Sequence, residues 1–280
     1  MSLLLLTALV TVGSFAAGLV GALTGLGGGV VLVPLLTIGF GVDIRYAAGA
    51  SLVSVIATSS GAAAAFLREG FSNIRIGMFL EIATTVGALA GAHLAARVSA
   101  SMISVVLGIV LLASAALSLL SPATASRAGE RPEGLAARLR LAGEMPVPGG
   151  RQPYQARRAP LGFALMFVAG GLSGLLGIGS GAVKVLAMDR AMRLPFKVSA
   201  ATSNFMIGVT AAASAGVYMS RGYVDPGLAA PVMLGVAAGA FVGARILVGA
   251  GAKRLRVVFA IVVAVLGVEM VRNGLLGGRA

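Results

Sequence analysis

The stretch 21–29, which reads Gly-Ala-Leu-Thr-Gly-Leu-Gly-Gly-Gly, returns 152 positions later as 173–181, Ser-Gly-Leu-Leu-Gly-Ile-Gly-Ser-Gly. Glycines at alternate positions support a helix poorly, since each costs about 1 kcal/mol relative to alanine. Apolar residues lie on both sides of each glycine run. Each copy therefore predicts a helix that breaks and is followed by a short second helix.

The repetition extends over residues 15–116, which recur without a gap at the same offset of 152 positions. Phe15 recurs as Phe167, and Gly87 recurs as Gly239. In a membrane protein, two such halves are typical of a transporter whose site lies where the halves meet.

Composition places the chain in a membrane. It has 280 residues, of which 58% are hydrophobic and 11% are charged, whereas soluble domains carry about 25% charged residues. Apolar runs of about 20 residues are long enough to span a bilayer as helices, and the alternating pattern of a β-barrel is absent from the sequence. We predict an all-α polytopic membrane protein with two inverted structural repeats, each of about five hydrophobic segments.

The chain divides into three parts: a transmembrane repeat at 1–120, a linker at 121–159 and a second transmembrane repeat at 160–280. The linker is rich in Pro, Gly, Ala and Arg, which predicts a mobile segment with a short amphipathic helix at Leu135–Leu141. If each repeat crosses five times, most Lys and Arg, including the arginines of the linker, fall on one side. The positive-inside rule assigns that side to the cytoplasm, which places both termini outside the inner membrane.

Two alternatives stay open. If 26–40 and 180–193 each enter and leave on one side, the repeats are parallel. If the first two segments of each repeat form a hairpin near the midplane, the repeats remain inverted, and the sequence does not separate this from two full crossings.

Several function classes are disfavoured. The net charge of +13 fits membrane topology and anionic lipid headgroups better than nucleic acid. The chain has no cysteine and a lone histidine, His93, so we expect no metal site and no cofactor. A nucleophile–base set is absent from the sequence, so we do not expect an enzyme. A homo-oligomer remains possible.

The glycine runs are candidate ligand sites. Unwound backbone at membrane depth is tolerated where it is buried in protein or lines a wet cavity, and the first amides of a helix favour an anion. The alternative role is close helix packing, which we predict for the pairs Gly87/Gly91 and Gly239/Gly243. The backbone positions assigned to the substrate are Gly27, Gly28, Gly29, Gly179, Ser180 and Gly181.

These features together resemble the sulfite exporter TauE/SafE family, also called the 4-toluene sulfonate uptake permeases. The matching motifs are Gly25-Leu-Gly-Gly-Gly29 with Pro34, Ala47-Ala-Gly-Ala-Ser51, and the second-half Gly177-Ile-Gly-Ser-Gly181 followed by Ala201-Thr-Ser-Asn204. The resemblance implies secondary transport of small sulfur-containing anions such as sulfite or organosulfonates. The chain departs from the family pattern in Ser180, which replaces a glycine, and in Leu186, which stands at the place of Pro34.

Polar residues inside the apolar segments extend the candidate site. Lys184, where the first half has Leu32, could contact a substrate anion, reach the interface, or pair with Asp189 or another acid. Hydroxyl and amide groups can donate to anion oxygens, so Ser51, Thr202, Ser203 and Asn204 are assigned to the substrate. For Thr58 and Thr210 we favour hydrogen bonds between helices.

Glu81 and Glu269 are the acids furthest inside apolar segments. Glu81 could carry a coupling proton, or it could pair with Arg75. His93 stands at the place of Arg245, which favours an interfacial polar position. The sequence as a whole predicts a secondary transporter, an exporter in preference, with alternating access between two repeats. The alternatives are an uptake permease, a channel for another small anion, or a membrane subunit without transport.

Overall fold

The computed structural model describes residues 3–24, 28–68, 70–119, 134–147, 150–247 and 252–276. The helices of the first half are α1 (Leu3–Thr24), α2 (Gly29–Pro34), α3 (Ile44–Arg68), α4 (Ile74–Ala95) and α5 (Ala100–Leu119). The linker contributes α6 (Gly134–Arg138), β1 (Ala142–Val147) and β2 (Gly150–Gln155). The second half contains α7 (Ala159–Leu176), α8 (Gly181–Leu186), α9 (Phe196–Ser220), α10 (Pro226–Leu247) and α11 (Ala252–Leu275).

The two halves fold into matching elements. Helices α2, α3 and α4 begin and end 152 positions before α8, α9 and α10. Even the π-helical turns that follow the short helices, Leu35–Gly39 and Ala187–Ala191, keep this offset. The repeat in the sequence is therefore a repeat of structure, element by element.

The predicted breaks lie at the glycine runs. In the first half α1 ends at Thr24 and α2 begins at Gly29. In the second half Gly177 and Gly179 adopt φ values of +71° and +72°, a conformation that side chains with a Cβ rarely tolerate. The chain therefore leaves α7 at Gly177 and starts α8 at Gly181.

The first and fourth helices of the repeats exchange partners. Helix α1 packs against α10 and α7 packs against α4, while α3 pairs with α9 and α5 pairs with α11. Glycines allow the backbones to touch, because a Cβ at Gly87 would collide with the Phe167 carbonyl group and a Cβ at Gly239 with the Phe15 carbonyl group. Gly91 likewise lies against Gly171. The predicted packing role is confirmed for these three glycines, and the packing of Gly243 lies outside the described residues.

Helix α4 illustrates an apolar exterior. Its buried face carries small residues such as Gly77, Gly87 and Gly91, whereas Met78, Ile82 and Val86, at helical spacing, are more than half exposed. In the described residues, α4 and α7 are long and apolar enough to cross a membrane. Shorter apolar stretches occupy Leu5–Gly21, Gly29–Gly39, Ala100–Ala116 and Pro226–Val242.

The linker corrects one expectation. The all-α prediction is wrong for 142–155, where β1 and β2 form an antiparallel hairpin with Ala142 opposite Gln155. This part of the linker is packed on the helices, because Leu141 and Tyr154 are buried against a core cluster that includes Ile76 and Met188. The helix expected at Leu135–Leu141 is confirmed in part as α6. Residues 120–133 lie outside the described residues.

Candidate functional site

Helices α4, α8 and α9 meet at a buried row of polar side chains. The Lys184 ammonium donates to Thr210 Oγ1 at 2.6 Å, and Thr210 Oγ1 lies 2.7 Å from Glu81 Oε1, to which it donates. Lys184 and Thr210 are fully buried and Glu81 is 7% exposed. We call Glu81, Thr210 and Lys184 the buried polar chain.

Each helix fixes one member of this chain. Lys184 is the fourth residue of the six-residue helix α8, where its backbone N–H donates to the Ser180 carbonyl oxygen. Thr210 also approaches the Met206 carbonyl oxygen at 2.8 Å, within its own helix. Thr85, one turn along α4, donates to Glu81 Oε1 at 3.0 Å. Three helices, drawn from both halves, therefore hold the two charges on either side of Thr210.

Only one of the two carboxylate oxygens of Glu81 accepts hydrogen bonds from the described residues. Oε1 accepts hydrogen bonds from Thr85 and Thr210, whereas the buried Oε2 has no hydrogen-bond partner in the described part of the chain. A buried acceptor left without a donor costs about 1–3 kcal/mol. This oxygen is therefore a place where a proton or a bound molecule would be stabilised.

The buried polar chain settles the partners of three residues. The expected pairing of Glu81 with Arg75 is wrong, because Arg75 instead donates to the Arg140 carbonyl oxygen at 3.4 Å. Lys184 is buried and does not reach the membrane interface. It is linked through Thr210 to an acid other than Asp189, namely Glu81. Asp189 lies 4.0 Å from Arg190.

The remaining polar positions divide between bonds across helices and bonds within one helix. The bond between helices expected for Thr210 is confirmed, whereas Thr58 bonds within its own helix to the Ser54 carbonyl oxygen. Glu269 pairs with Arg272 at 2.7 Å. His93 is exposed, and its Nδ1 lies 2.8 Å from the Leu89 carbonyl oxygen.

The two glycine segments lie against each other. A Cβ built on Gly29 would fall 3.2 Å from the Ile178 carbonyl oxygen and 2.8 Å from Ser51 Oγ. A Cβ on Gly179 would fall 3.2 Å from Val55, so each segment faces α3. The structure thus brings the glycines of both halves together, although Gly27 lies outside the described residues.

The hydroxyl groups assigned to the substrate have different surroundings. Ser51 Oγ and Ser180 Oγ are buried and have no partner among the described residues, and Ser203 Oγ reaches the Gly181 carbonyl oxygen at 3.4 Å. Thr202 Oγ1 accepts from the Asn73 backbone N–H at 3.1 Å, and the Asn204 amide donates to the Ala200 carbonyl oxygen within α9. Ser51 and Ser180 are therefore close to the glycine segments with unused hydroxyl groups, whereas Ser203 uses its hydroxyl hydrogen for Gly181. Thr202 only accepts in its bond, and Asn204 uses one of its two amide hydrogens.

Two participants were not assigned to the site from the sequence: Thr210, as the bridge between the charges, and Thr85. The signal for Thr210 was present, because it follows Ser203 by seven residues and so lies on the same face of α9. Thr85 follows Glu81 by four residues, the spacing at which helical side chains meet.

Known proteins are similar in sequence to most of this chain. The chain is 30% identical to the "Probable membrane transporter protein YunE" of Bacillus subtilis (strain 168), over 92% of this chain and 95% of that protein. It is 29% identical to the "Probable membrane transporter protein YdhB" of the same organism, over 82% and 86%. No solved structure matches the chain. The sequence model of the family described as "Sulfite exporter TauE/SafE" matches residues 10–270; the chain therefore belongs to this family and is an integral membrane transporter.

Proposed function

We propose that this chain is a secondary transporter of small sulfur-containing anions such as sulfite or organosulfonates, and that it works as an exporter. The observation that carries the proposal is a fully buried lysine, Lys184, one turn after a glycine segment that lies against its copy from the other half. A cation at membrane depth is costly and is usually paired or functional.

In this proposal the substrate lies between the two glycine segments. Lys184 supplies the positive charge, and the hydroxyl groups of Ser51, Ser180 and Ser203 orient the oxygens of the anion. The backbone of Gly28, Gly29, Gly179 and Gly181, and of Gly27 from the sequence, lets the anion approach closely. Thr202 would donate its hydroxyl hydrogen, and Asn204 the second hydrogen of its amide.

The transport cycle is proposed to be alternating access between two bodies. The packing supports bodies that each draw helices from both halves, because α1 packs on α10 and α7 packs on α4, while α3 and α9 face each other where the two bodies would meet. This replaces the expectation that one sequence half rocks against the other. We further propose that the repeats 1–120 and 160–280 are inverted in the inner membrane, with the termini outside and the linker 121–159 in the cytoplasm.

Flux measurements in proteoliposomes test the substrate class. Vesicles containing the purified protein are loaded with sulfite, methanesulfonate or sulfate, and efflux is compared with protein-free vesicles. We expect the protein to accelerate efflux of sulfite and methanesulfonate more than that of sulfate. If none of the three leaves faster than from protein-free vesicles, the proposed class is wrong.

A variant pair tests the site. Lys184→Ala combined with Ser203→Ala should abolish the accelerated flux, whereas Lys197→Ala, which removes an exposed lysine of α9, should retain it. Equal flux from the two variants would show that Lys184 and Ser203 do not form the site. It would leave the proposed class of transporter standing. Loading the opposite side of the membrane tests the alternative of uptake.

A further inference from the structure

We propose that Glu81 is a proton carrier that shares the substrate site with Lys184, so that one proton moves together with each singly charged anion. This inference rests on the proposed function and adds to it the coupling ion, the charge of the preferred substrate and the stoichiometry. It is carried by the geometry of the buried polar chain.

The first argument is the one-sided hydrogen bonding of Glu81. Both donors, Thr85 and Thr210, reach Oε1, and Oε2 has none in the described part of the chain. A proton on Oε2 displaces no existing bond and turns that oxygen into a donor. The Lys184 ammonium, with three N–H groups, has Thr210 as its described partner. Both ends of the buried polar chain then offer donors to the same anion.

The second argument is charge. With Glu81 ionised and Lys184 protonated, the buried polar chain is neutral. A singly charged anion would leave one net negative charge in a buried site, where each uncompensated ion costs several kcal/mol. One proton on Glu81 restores neutrality. A doubly charged anion would need a second proton or cation, which this pair does not supply.

The surrounding charges do not offer that compensation. Helix α7, which packs on α4 and α8, has no ionisable residue along 159–176. On α9, Lys197 is exposed and lies over the ring of Phe71, and Arg221 follows the last turn. On α4, Arg75 bonds to the linker and His93 is exposed. The turn after α8 carries the pair Asp189 and Arg190. Among the described residues, Glu81, Lys184 and Asp189 are the buried charged side chains. Because Asp189 lies beside Arg190, Glu81 and Lys184 remain as the charges that face each other.

The coupling step is a reversible proton transfer. A proton from water on one side of the membrane binds Oε2 of the Glu81 carboxylate and forms a neutral acid. The anion then binds between this O–H group and the Lys184 ammonium. After the change of access, the anion and the proton both leave on the other side, and the ionised pair re-forms. Net movement follows the product of the anion and proton concentrations, so export proceeds when the anion gradient exceeds the opposing pH gradient.

Methanesulfonate is a suitable probe because it stays a monoanion at neutral pH, and any accompanying proton must be carried by the protein. Its flux is measured in proteoliposomes together with internal pH from a trapped dye, while potassium and valinomycin set the membrane potential. We expect about one proton per methanesulfonate and a flux that does not respond to the potential. A movement of one net charge would instead respond, with an accumulation ratio that changes by about 50-fold per 100 mV.

Glu81→Gln separates coupling from transport. The variant should lose the proton signal, and its residual methanesulfonate flux should become sensitive to the potential, since the empty site now carries the charge of Lys184. Glu269→Gln is the matched control, because Glu269 pairs with Arg272 at the end of α11; it should keep the wild-type proton ratio.

The outcomes are distinguishable. Methanesulfonate flux without proton movement in the wild type overturns the coupling and leaves the proposed function standing. Proton movement that persists in Glu81→Gln overturns the role of Glu81. If the variant does not fold, the proton ratio of the wild type still decides the coupling. Absence of methanesulfonate flux from the wild type contradicts the proposed function, and this inference with it.

Discussion

The two halves of the molecule share a scaffold but differ in what they bury at the same place. The positions of Lys184 and Thr210 in the second half correspond to Leu32 and Thr58 in the first, and Glu81 of the first half corresponds to Met233 of the second. Leu32 is as completely buried as Lys184. The three positions of the buried polar chain therefore carry a linked pair of charges. Their three counterparts carry two apolar side chains and one hydroxyl group.

The scaffold does not require the charges. Replacing a buried ion pair with apolar residues of similar size is often neutral or stabilising, and the first half shows that the same helices pack with Leu32 in that position. Charges kept in only one of two equivalent places are better explained by a function than by folding. Variants at equivalent positions of the two halves test this explanation.

The largest effect is expected from removing one charge. Lys184→Leu copies the first half and leaves Glu81 buried without its counter-charge, and Glu81→Met does the reverse. Each single variant should be destabilised by about 3–5 kcal/mol. The double variant should lose much less than the sum, because both charges are gone. Thermal unfolding of the purified proteins in one detergent measures this, and additive losses would show that the two side chains are not coupled.

A smaller effect is expected from the hydroxyl groups. Thr210→Val removes the bridge, which leaves the Lys184 ammonium without its described partner and Glu81 with the bond from Thr85 alone, at a cost of about 1–3 kcal/mol. Thr58→Val, its repeat counterpart, removes a bond within one helix and should change stability by less than about 0.5 kcal/mol. Unfolding temperatures of the two variants give the comparison, with Thr210→Ser as the variant that restores stability. Equal losses at both positions would argue against the bridge.

The helix starts at Asn73 and Asp225 are also equivalent. The Asn73 side chain caps α4 by accepting from the Ile76 N–H and donates to Tyr154 of the linker hairpin at 2.9 Å, while Asp225 accepts from the Gly227 N–H. Asp225→Ala should cost about 1 kcal/mol, the usual loss of a cap. Asn73→Ala should cost about 2 kcal/mol, because it also frees the buried Tyr154 hydroxyl. Unfolding temperatures and protease cleavage of the linker report the difference, and equal protease sensitivity would mean that Asn73 does not hold the hairpin.

The smallest effect is expected at the turn before the short helices. Ser180 has a φ of +44°, whereas its counterpart Gly28 has a φ of −65°. A left-handed conformation costs a residue with a Cβ about 1–2 kcal/mol, so Ser180→Gly should stabilise the protein by about 1 kcal/mol. If the hydroxyl group binds the anion as proposed, the same variant should transport methanesulfonate less well. A more stable variant with unchanged transport would show that the Ser180 hydroxyl group does not bind the anion.

The sequence predicted most of the fold because its signals are local. A glycine run or an apolar stretch is recognised from a few neighbouring residues, and its copy at a constant offset strengthens the prediction. The helix breaks after Thr24 and Leu176 follow from these signals. The partner exchange between α4 and α10 could not be predicted, since both helices present similar glycine faces to similar helices. The linker hairpin was missed because its composition is that of a flexible segment, and one tyrosine, Tyr154, accounts for much of its burial.

The site was predicted in part for the same reason. Lys184 stands out as a lone charge in an apolar segment, and the glycine segments stand out as copies. One of the two roles considered for Glu81 paired it with Arg75, six residues away, whereas the observed bond to Thr210 joins residues 129 positions apart. Contacts of that kind depend on how helices are arranged in space, which residue type and spacing do not determine.

The exchanged helix partners have a consequence for biogenesis. Helices α1 and α4 leave the ribosome well before α10 and α7, the helices that cover their glycine faces. In a nascent chain that has inserted its first five helices, the glycine faces of α1 and α4 therefore stay uncovered until the second half is synthesised. We expect a product truncated in the linker to be degraded, and two separately expressed halves to accumulate only when they are made together.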